Sequence, residues 1–212
     1  MKQTHLITFA TVITATLLAG CSDPADQVHK SGASAPKDAT ATPAPASKSY
    51  VVRSESTIGF IGSKVTGNHN GGFTNFVGTV SVADGKVVTP TEIKIAMAST
   101  WSDAEKLTGH LKSPDFFDTE KFPTTTFTIT AIELATDGSK ITGNLFLHGV
   151  TNSISFPARI EVSATNLTVN AKFAINRKDF AINYPGKADD LIRDNVVIKL
   201  DLSATPGDQL PK

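Results

Sequence analysis

Apolar and polar residues alternate with a period of two through much of this 212-residue chain. Residues 154 to 162 read Ile-Ser-Phe-Pro-Ala-Arg-Ile-Glu-Val, which sets Ile154, Phe156, Ala158, Ile160 and Val162 on one face. Residues 167 to 175 group Leu167, Val169, Ala171, Phe173 and Ile175, and residues 196 to 202 group Val196, Ile198, Leu200 and Leu202. Ile93, Ile95 and Met97 share a face, as do Ile141, Gly143, Leu145 and Leu147. Successive side chains of an extended backbone point to opposite sides, so these runs predict strands with one dry and one wet face. Asp84-Gly85, Asp137-Gly138 and His148-Gly149 mark turns between runs. With segments near 57–66, 73–83 and 124–134 the pattern predicts about eight strands.

A sheet wet on one face has exposed edges unless it closes on itself, and an eight-stranded barrel is just wide enough to be filled by side chains or to hold one small ligand. The expected fold is therefore all-β, a single antiparallel eight-stranded lipocalin-like barrel. One stretch, residues 100–118, breaks the pattern. Ser99 or Thr100 can cap a short helix through Trp101, Ala104, Leu107 and Leu111, which Pro114 ends before Asp115-Phe116-Phe117-Asp118. Such a segment is expected against the sheet or over a barrel mouth.

The N-terminus carries a different pattern. Lys2 precedes an apolar run from Leu6 to Leu18, too short for the roughly 20 residues of a membrane span but suited to a secretory leader. Leu18-Ala19-Gly20-Cys21 closes the run and resembles a bacterial lipobox, in which cleavage before the cysteine leaves a thiol that carries diacylglycerol. The alternative is an ordinary leader cleavage site with a stray cysteine. Cys21 is the only cysteine, so no internal disulfide exists to explain it, and lipidation does. Two or more acyl chains anchor a protein stably. The expectation is an envelope lipoprotein held to the membrane through Cys21. Ser22, rather than Asp, points by the sorting rule of Gram-negative lipoproteins to the periplasmic face of the outer membrane.

Residues 22–49 contain no aromatic residue and one large aliphatic, Val28, with prolines at 24, 36, 43 and 45. Such a composition predicts a disordered tether with a span of about 30 Å. The chain then divides into a leader (1–20), a lipidated cysteine and tether (21–49), a β-barrel domain (50–205) and a tail (206–212).

Charge narrows the partners. The chain has 20 Lys and Arg against 20 Asp and Glu, which leaves no basic surface for nucleic acid or anionic lipid. There is no GxSxG, HExxH or P-loop, and HxxxxDxxD from His110 through Asp115 and Asp118 is not a metal-ligand spacing. A pair of carboxylates, Asp115 and Asp118, is the remaining acid–base candidate, and the expected function is non-enzymatic. No cofactor or metal is predicted.

The block from His110 to Asp118, followed by Lys121-Phe122-Pro123 and Thr126-Phe127, resembles the HLxSxDFFDxxxxPxxxF block of the YceI-like family. Gly72-Phe73, Gly143-x-Leu145-x-Leu147-His148-Gly149-Val150-Thr151 and Ile175-Asn176-Arg177-x-Asp179-Phe180 match it further, in order. The resemblance implies a periplasmic, lipocalin-like barrel that binds a polyisoprenoid or similar long-chain lipid. The lipobox departs from typical members, which are soluble once their leader is removed.

The sequence holds twelve Phe but two Tyr and one Trp. Phe73, Phe116, Phe117, Phe127, Phe146 and Phe173 are the candidate ligand-facing rings. Trp101 is placed at the mouth, and His110 and Arg177 are possible head-group contacts, Arg177 for a diphosphate. The opposing readings are a dry phenylalanine core, Trp101 on the outside of the sheet, His110 capping its helix, and Arg177 with Asp179, or Arg193 with Asp194, as rim pairs. Gly59, Gly62, Gly78, Gly143, Ala158 and Ala171 leave room inside where they point inward. Two functions stay open: a lipid-binding module for carriage, storage or sensing, and an adaptor lipoprotein with a filled barrel and a protein partner.

Overall fold

Each strand of the barrel lies antiparallel to the one before it, and the last returns to the first. The computed structural model describes residues 22–38, 47–134 and 138–207; the leader, Cys21 and Asp137 lie outside the described residues. A short strand β1 (His29–Ser31) precedes the barrel. β2 (Lys48–Val52) with β3 (Thr57–Lys64), β4 (Gly67–Phe73) with β5 (Phe76–Ala83), and β6 (Lys86–Ala96) with β7 (Thr100–Ser102) form three broken staves. After α1 (Glu105–Lys112), the one α-helix among the described residues, come β8 (Thr124–Glu133), β9 (Ser139–Leu147), β10 (Val150–Val162) and β11 (Leu167–Asn176). A small hairpin, β12 (Gly186–Lys187) and β13 (Asp190–Leu191), leads into β14 (Asn195–Pro206). β14 pairs with β11 on one side and with β2 and β3 on the other, which closes eight staves into a barrel.

The alternation read from the sequence is the inward face. Ile154, Phe156 and Ile160 of β10, Val169, Phe173 and Ile175 of β11, and Val196, Ile198, Leu200 and Leu202 of β14 all line the interior. Two of the predicted turns are built as expected. Asp84-Gly85 has φ of 51° and 72°, and His148-Gly149 of 52° and 80°, the paired positive values that suit the right-handed twist of a two-residue hairpin.

The inward glycines serve a different purpose from the one expected. A Cβ on Gly143 would stand 2.5 Å from the Phe127 ring, and one on Gly71 would stand 2.3 Å from the Phe60 ring. The outer edges of neighbouring rings close on the bare backbone, so these glycines admit aromatic packing rather than open space. Gly62 is the exception: nothing stands within 4 Å of a Cβ there, and it borders the cavity.

The helix is shorter than predicted and starts later. Residues 97–99 form a 3-10 turn, Thr100–Ser102 pair with Gly71–Phe73, and the helix begins at Glu105 without a side-chain cap. A free strand edge at Gly71–Phe73 offers Trp101 backbone partners that an isolated helical turn cannot match. The hydroxyls of Ser102 and Thr108, 3.0 Å apart, tie the strand to the helix.

Residues 22–38 are not a free tether. Asp23 caps a 3-10 turn (Pro24–Gln27) by accepting from Ala25 N at 3.0 Å. Ala25, 1% exposed, packs on the outer face of the barrel against Ala174 and Val197, beside Val28 and Ile61. β10 and β11 pair only over Arg159–Val162 and Leu167–Asn170. Where they part, β1 runs parallel to Phe173–Ile175. Ser31 Oγ donates to Ser155 O at 2.5 Å, and Ser34 and Ser153 exchange two backbone hydrogen bonds of 2.9 Å. The segment is a ninth strand wedged into a seam of the wall. Its composition cannot make a core, but hydrogen bonds to the open edges of β10 and β11, and the apolar patch of Ala174 and Val197, supply partners that it lacks alone. Deleting residues 22–38 should leave the barrel folded while the Ser153 amide loses its hydrogen-exchange protection; unchanged protection would show that the segment does not seal the wall.

Candidate functional site

The inward faces of the barrel leave a cavity of about 220 Å³, lined by aliphatic and phenylalanine side chains with Gly62, Thr91, Thr125 and Arg177 the exceptions. It runs from Val87, Ile132 and Ile160 near one end to Leu111, Phe116, Ile182 and Ile192 near the other. The aromatic part is layered. Phe156 and Phe173 stack at a centroid distance of 3.9 Å with planes 4° apart, and Phe127 tilts against Phe156 at 5.7 Å.

One end is covered by α1 and the residues after it. Phe117 meets Phe60 and Phe73 of the wall at centroid distances of 6.3 and 6.0 Å. Phe116, 7% exposed, faces His110 at 4.9 Å and Tyr184 at 5.3 Å. Adjacent residues on this turn thus both reach the cavity, one holding to the wall and one to the cover itself. Asp118 at φ 45° makes this possible, its N–H donating to Ser113 O while Phe117 N donates to Leu111 O. Tyr184 belongs to the 181–185 strap between β11 and β12, which closes over the same end.

The polar residues are committed to the cover. His110 Nε2 lies 2.8 Å from the Asp115 carboxylate, and its ring meets Phe116 and Tyr184 edge-on. It neither lines the cavity nor caps the helix through its side chain, so the head-group expectation for His110 is not met. The other histidine of the motif, His148, donates from Nδ1 to Phe180 O at 3.2 Å and lies against Phe122.

Arg177 does line the cavity and is 5% exposed. Its guanidinium donates to Ile182 O at 2.7 Å, Arg193 O at 3.2 Å and Ile192 O at 3.3 Å, and to Asp194 Oδ1 at 3.3 Å. Burial lowers its pKa from the ordinary guanidinium value, and the Asp194 carboxylate opposes that shift. Its partner is Asp194, not Asp179, because the 3-10 turn after Asn176 swings the two apart; Asp194 also meets Lys178 at 2.9 Å. Arg193 in turn pairs with Asp23 at 3.8 Å. Arg177 acts as a rivet that ties the strap, through Ile182 O, to the segment before β14, through Ile192 O and Arg193 O, at the barrel end.

Of the other expected contacts, Phe73, Phe116, Phe117, Phe127 and Phe173 line the cavity. Phe146 does not: Leu145 and Leu147 line it, and period two sends the residue between them outward. Trp101, 43% exposed, lies on the outside with its Nε1 3.1 Å from where a Gly72 Cβ would stand. Phe60 and Phe156, absent from the expected set, both line the cavity. Phe156 was detectable, since it shares the alternating face of Ile154 and Ile160. Asp115 is committed to His110, and no group of three or more metal-ligating side chains occurs among the described residues.

Comparison with known proteins gives the same architecture. The YceI-like domain model matches residues 50–204. A UPF0312 protein of Pseudomonas putida is 30% identical over 125 residues, covering 55% of this chain and 65% of the relative, just under two thirds of its length. Protein YceI of Escherichia coli O157:H7 is 34% identical over 92 residues, 42% of this chain and 48% of that one. Among solved structures, Burkholderia cenocepacia BcnA superposes with a TM-score of 0.64 at 22% identity over 71% of this chain and 97% of its own. A polyisoprenoid binding domain from Saccharophagus degradans does so with a TM-score of 0.61 at 18% identity, covering 76% of this chain and 100% of that domain.

Proposed function

Because this chain belongs to the YceI-like domain family, we propose that it binds a long-chain apolar lipid of the polyisoprenoid class inside its barrel, as a carrier, store or sensor held to the envelope membrane by a lipidated Cys21. The observation that carries this reading is the cavity, about 220 Å³ that the protein's own side chains leave unfilled. Apolar walls that face unfilled space lose the packing contacts of a closed core, which costs stability. The cavity's apolar walls offer water too few partners for water to fill it. A flexible hydrocarbon chain relieves that cost and needs no polar partner along its length. The Saccharophagus degradans polyisoprenoid binding domain, with the same fold, supports this ligand class. The lipobox at Leu18–Cys21 supports the anchor, and Ser22 supports the periplasmic face of the outer membrane.

Organic extraction of the full chain purified from bacterial membranes, followed by mass spectrometry, tests the ligand. A stoichiometric apolar compound is expected. Gly62→Leu should abolish its recovery without loss of stability, because the new side chain meets open space and fills the cavity. A clean protein that takes up no polyprenyl lipid on titration would leave an adaptor role in place of lipid binding.

A further inference from the structure

We propose that the barrel end built from the turn after β3 and the β12–β13 hairpin is a membrane-contacting face, seated on the bilayer by the anchor. The inference rests on the reading of Cys21 as lipidated and goes on to say which surface of the protein that lipid presents to the membrane.

The docked N-terminal segment is the reason. Were residues 22–49 a free leash, the barrel would have no preferred orientation. Instead Asp23 is buried, caps the Pro24–Gln27 turn and lies 3.8 Å from Arg193. Ala25 is sealed against Ala174 and Val197. Only Ser22 separates Cys21 from this fixed point, and consecutive Cα atoms are about 3.8 Å apart, so Cys21 Cα stands within about 8 Å of that of Asp23. An anchor on Cys21 therefore tethers the chain two residues from Asp23, the partner of Arg193.

That place is not neutral ground. Arg193 N donates to Ser63 O at 2.9 Å, and two residues on from Ser63 and two back from Arg193, Val65 N donates to Leu191 O at 3.1 Å. Val65 and Leu191 are thus neighbours across a hydrogen bond, and they are 55% and 49% exposed. Turns normally carry polar residues, and a contiguous apolar tip needs an explanation that a lone exposed Leu does not. Of the adjacent charges, Lys64 pairs with Asp190, and Arg177 and Lys178 pair with Asp194, while Lys187 and Asp189 of the hairpin stand exposed. The tip thus offers a bilayer two apolar side chains, with one exposed charge of each sign, Lys187 and Asp189, beside them for a zwitterionic headgroup layer. Leu134, 58% exposed, follows β8 at the opposite end of the barrel.

The arrangement also serves the cavity. Arg177, Ile182 of the strap and Ile192 beside the tip line it together with Leu111, Phe116 and Phe117 of the cover. A chain leaving the bilayer at this face meets the covered end of the barrel without crossing water.

The full chain, processed and reconstituted into phosphatidylcholine vesicles, allows a direct test. Cys21 is the only native cysteine, and its sulfur is blocked in the acylated protein, so Val65→Cys, Leu191→Cys and Leu134→Cys each take a single environment-sensitive fluorophore. Labels at 65 and 191 should shift to the blue and be quenched several-fold more than the label at 134 by doxyl-labelled phosphatidylcholine. Mass spectrometry of the N-terminal peptide reports the acyl chains independently. An acylated protein whose three labels quench alike overturns the orientation alone. Labels at 65 and 191 that shift to the blue yet resist the lipid quencher overturn it in favour of a contact between copies. A peptide without acyl chains overturns the orientation and the reading of Cys21 together.

Discussion

Replacing Arg177 with alanine should lower the unfolding free energy by about 3–5 kcal/mol, as expected when a buried cation is taken from the acceptors gathered around it. Three backbone carbonyls, of Ile182, Ile192 and Arg193, lose a charged donor, and Asp194 loses one of its two cationic partners. Arg177→Lys should recover only part of the loss, since one ammonium cannot match a planar fork that reaches four acceptors in different directions. Denaturant melts measure this, and polyprenyl titration of the same variants separates two roles. A rivet predicts a large stability loss in Arg177→Ala, with affinity following how much of the strap remains ordered. A head-group hook predicts near-native stability and a loss of affinity confined to phosphorylated ligands. A melt shifted by less than about 1 kcal/mol would remove the rivet, because no buried charge network of this kind is lost so cheaply.

Truncation of Phe156 should cost a similar amount, about 3–5 kcal/mol, for a different reason. It is 1% exposed, lies face to face with Phe173 and touches Phe127. Loss of its ring enlarges a cavity that the fold already carries. Phe173→Ala, at 3% exposure, should cost as much, and the double variant should cost less than the sum by about 0.5–1.5 kcal/mol, the contact term of an aromatic pair. A ligand that occupies the enlarged space binds only the folded state, so saturating polyprenyl lipid should raise the midpoint of Phe156→Ala, as well as that of the wild type. Strict additivity would mean that the two rings contribute separately to the core and that their stacking adds nothing.

Much of this molecule is legible in local sequence. The eight staves, their inward faces and the hairpins at Asp84-Gly85 and His148-Gly149 follow from period two and from residues that tolerate positive φ. The same rule excludes Phe146 from the cavity through the run Ile141, Gly143, Leu145 and Leu147, and admits Phe156 through the run from Ile154 to Val162. Those positions needed only strict register, not coordinates. The block from His110 to Phe127 and the Arg177 motif likewise lead from the sequence to the family.

Tertiary structure decided what depends on surfaces distant in sequence. Nothing local shows that Phe60 lies over Gly71 and Phe127 over Gly143, so whether a glycine makes room for a ring or for a ligand is settled only when strands pair. Trp101 left the predicted helix because Gly71–Phe73 offered it a strand edge, and Arg177 took Asp194 in place of Asp179 because the chain turns sharply after Asn176. The N-terminal segment is the clearest case. Its composition correctly says that residues 22–38 cannot bury enough apolar surface among themselves to fold. It is silent on Ala174 and Val197, outward-facing and apolar, and on the open edges of β10 and β11 some 120 residues away. Ordering entropy that a short polar segment cannot offset alone is offset by borrowed partners, and those exist only once the barrel has closed.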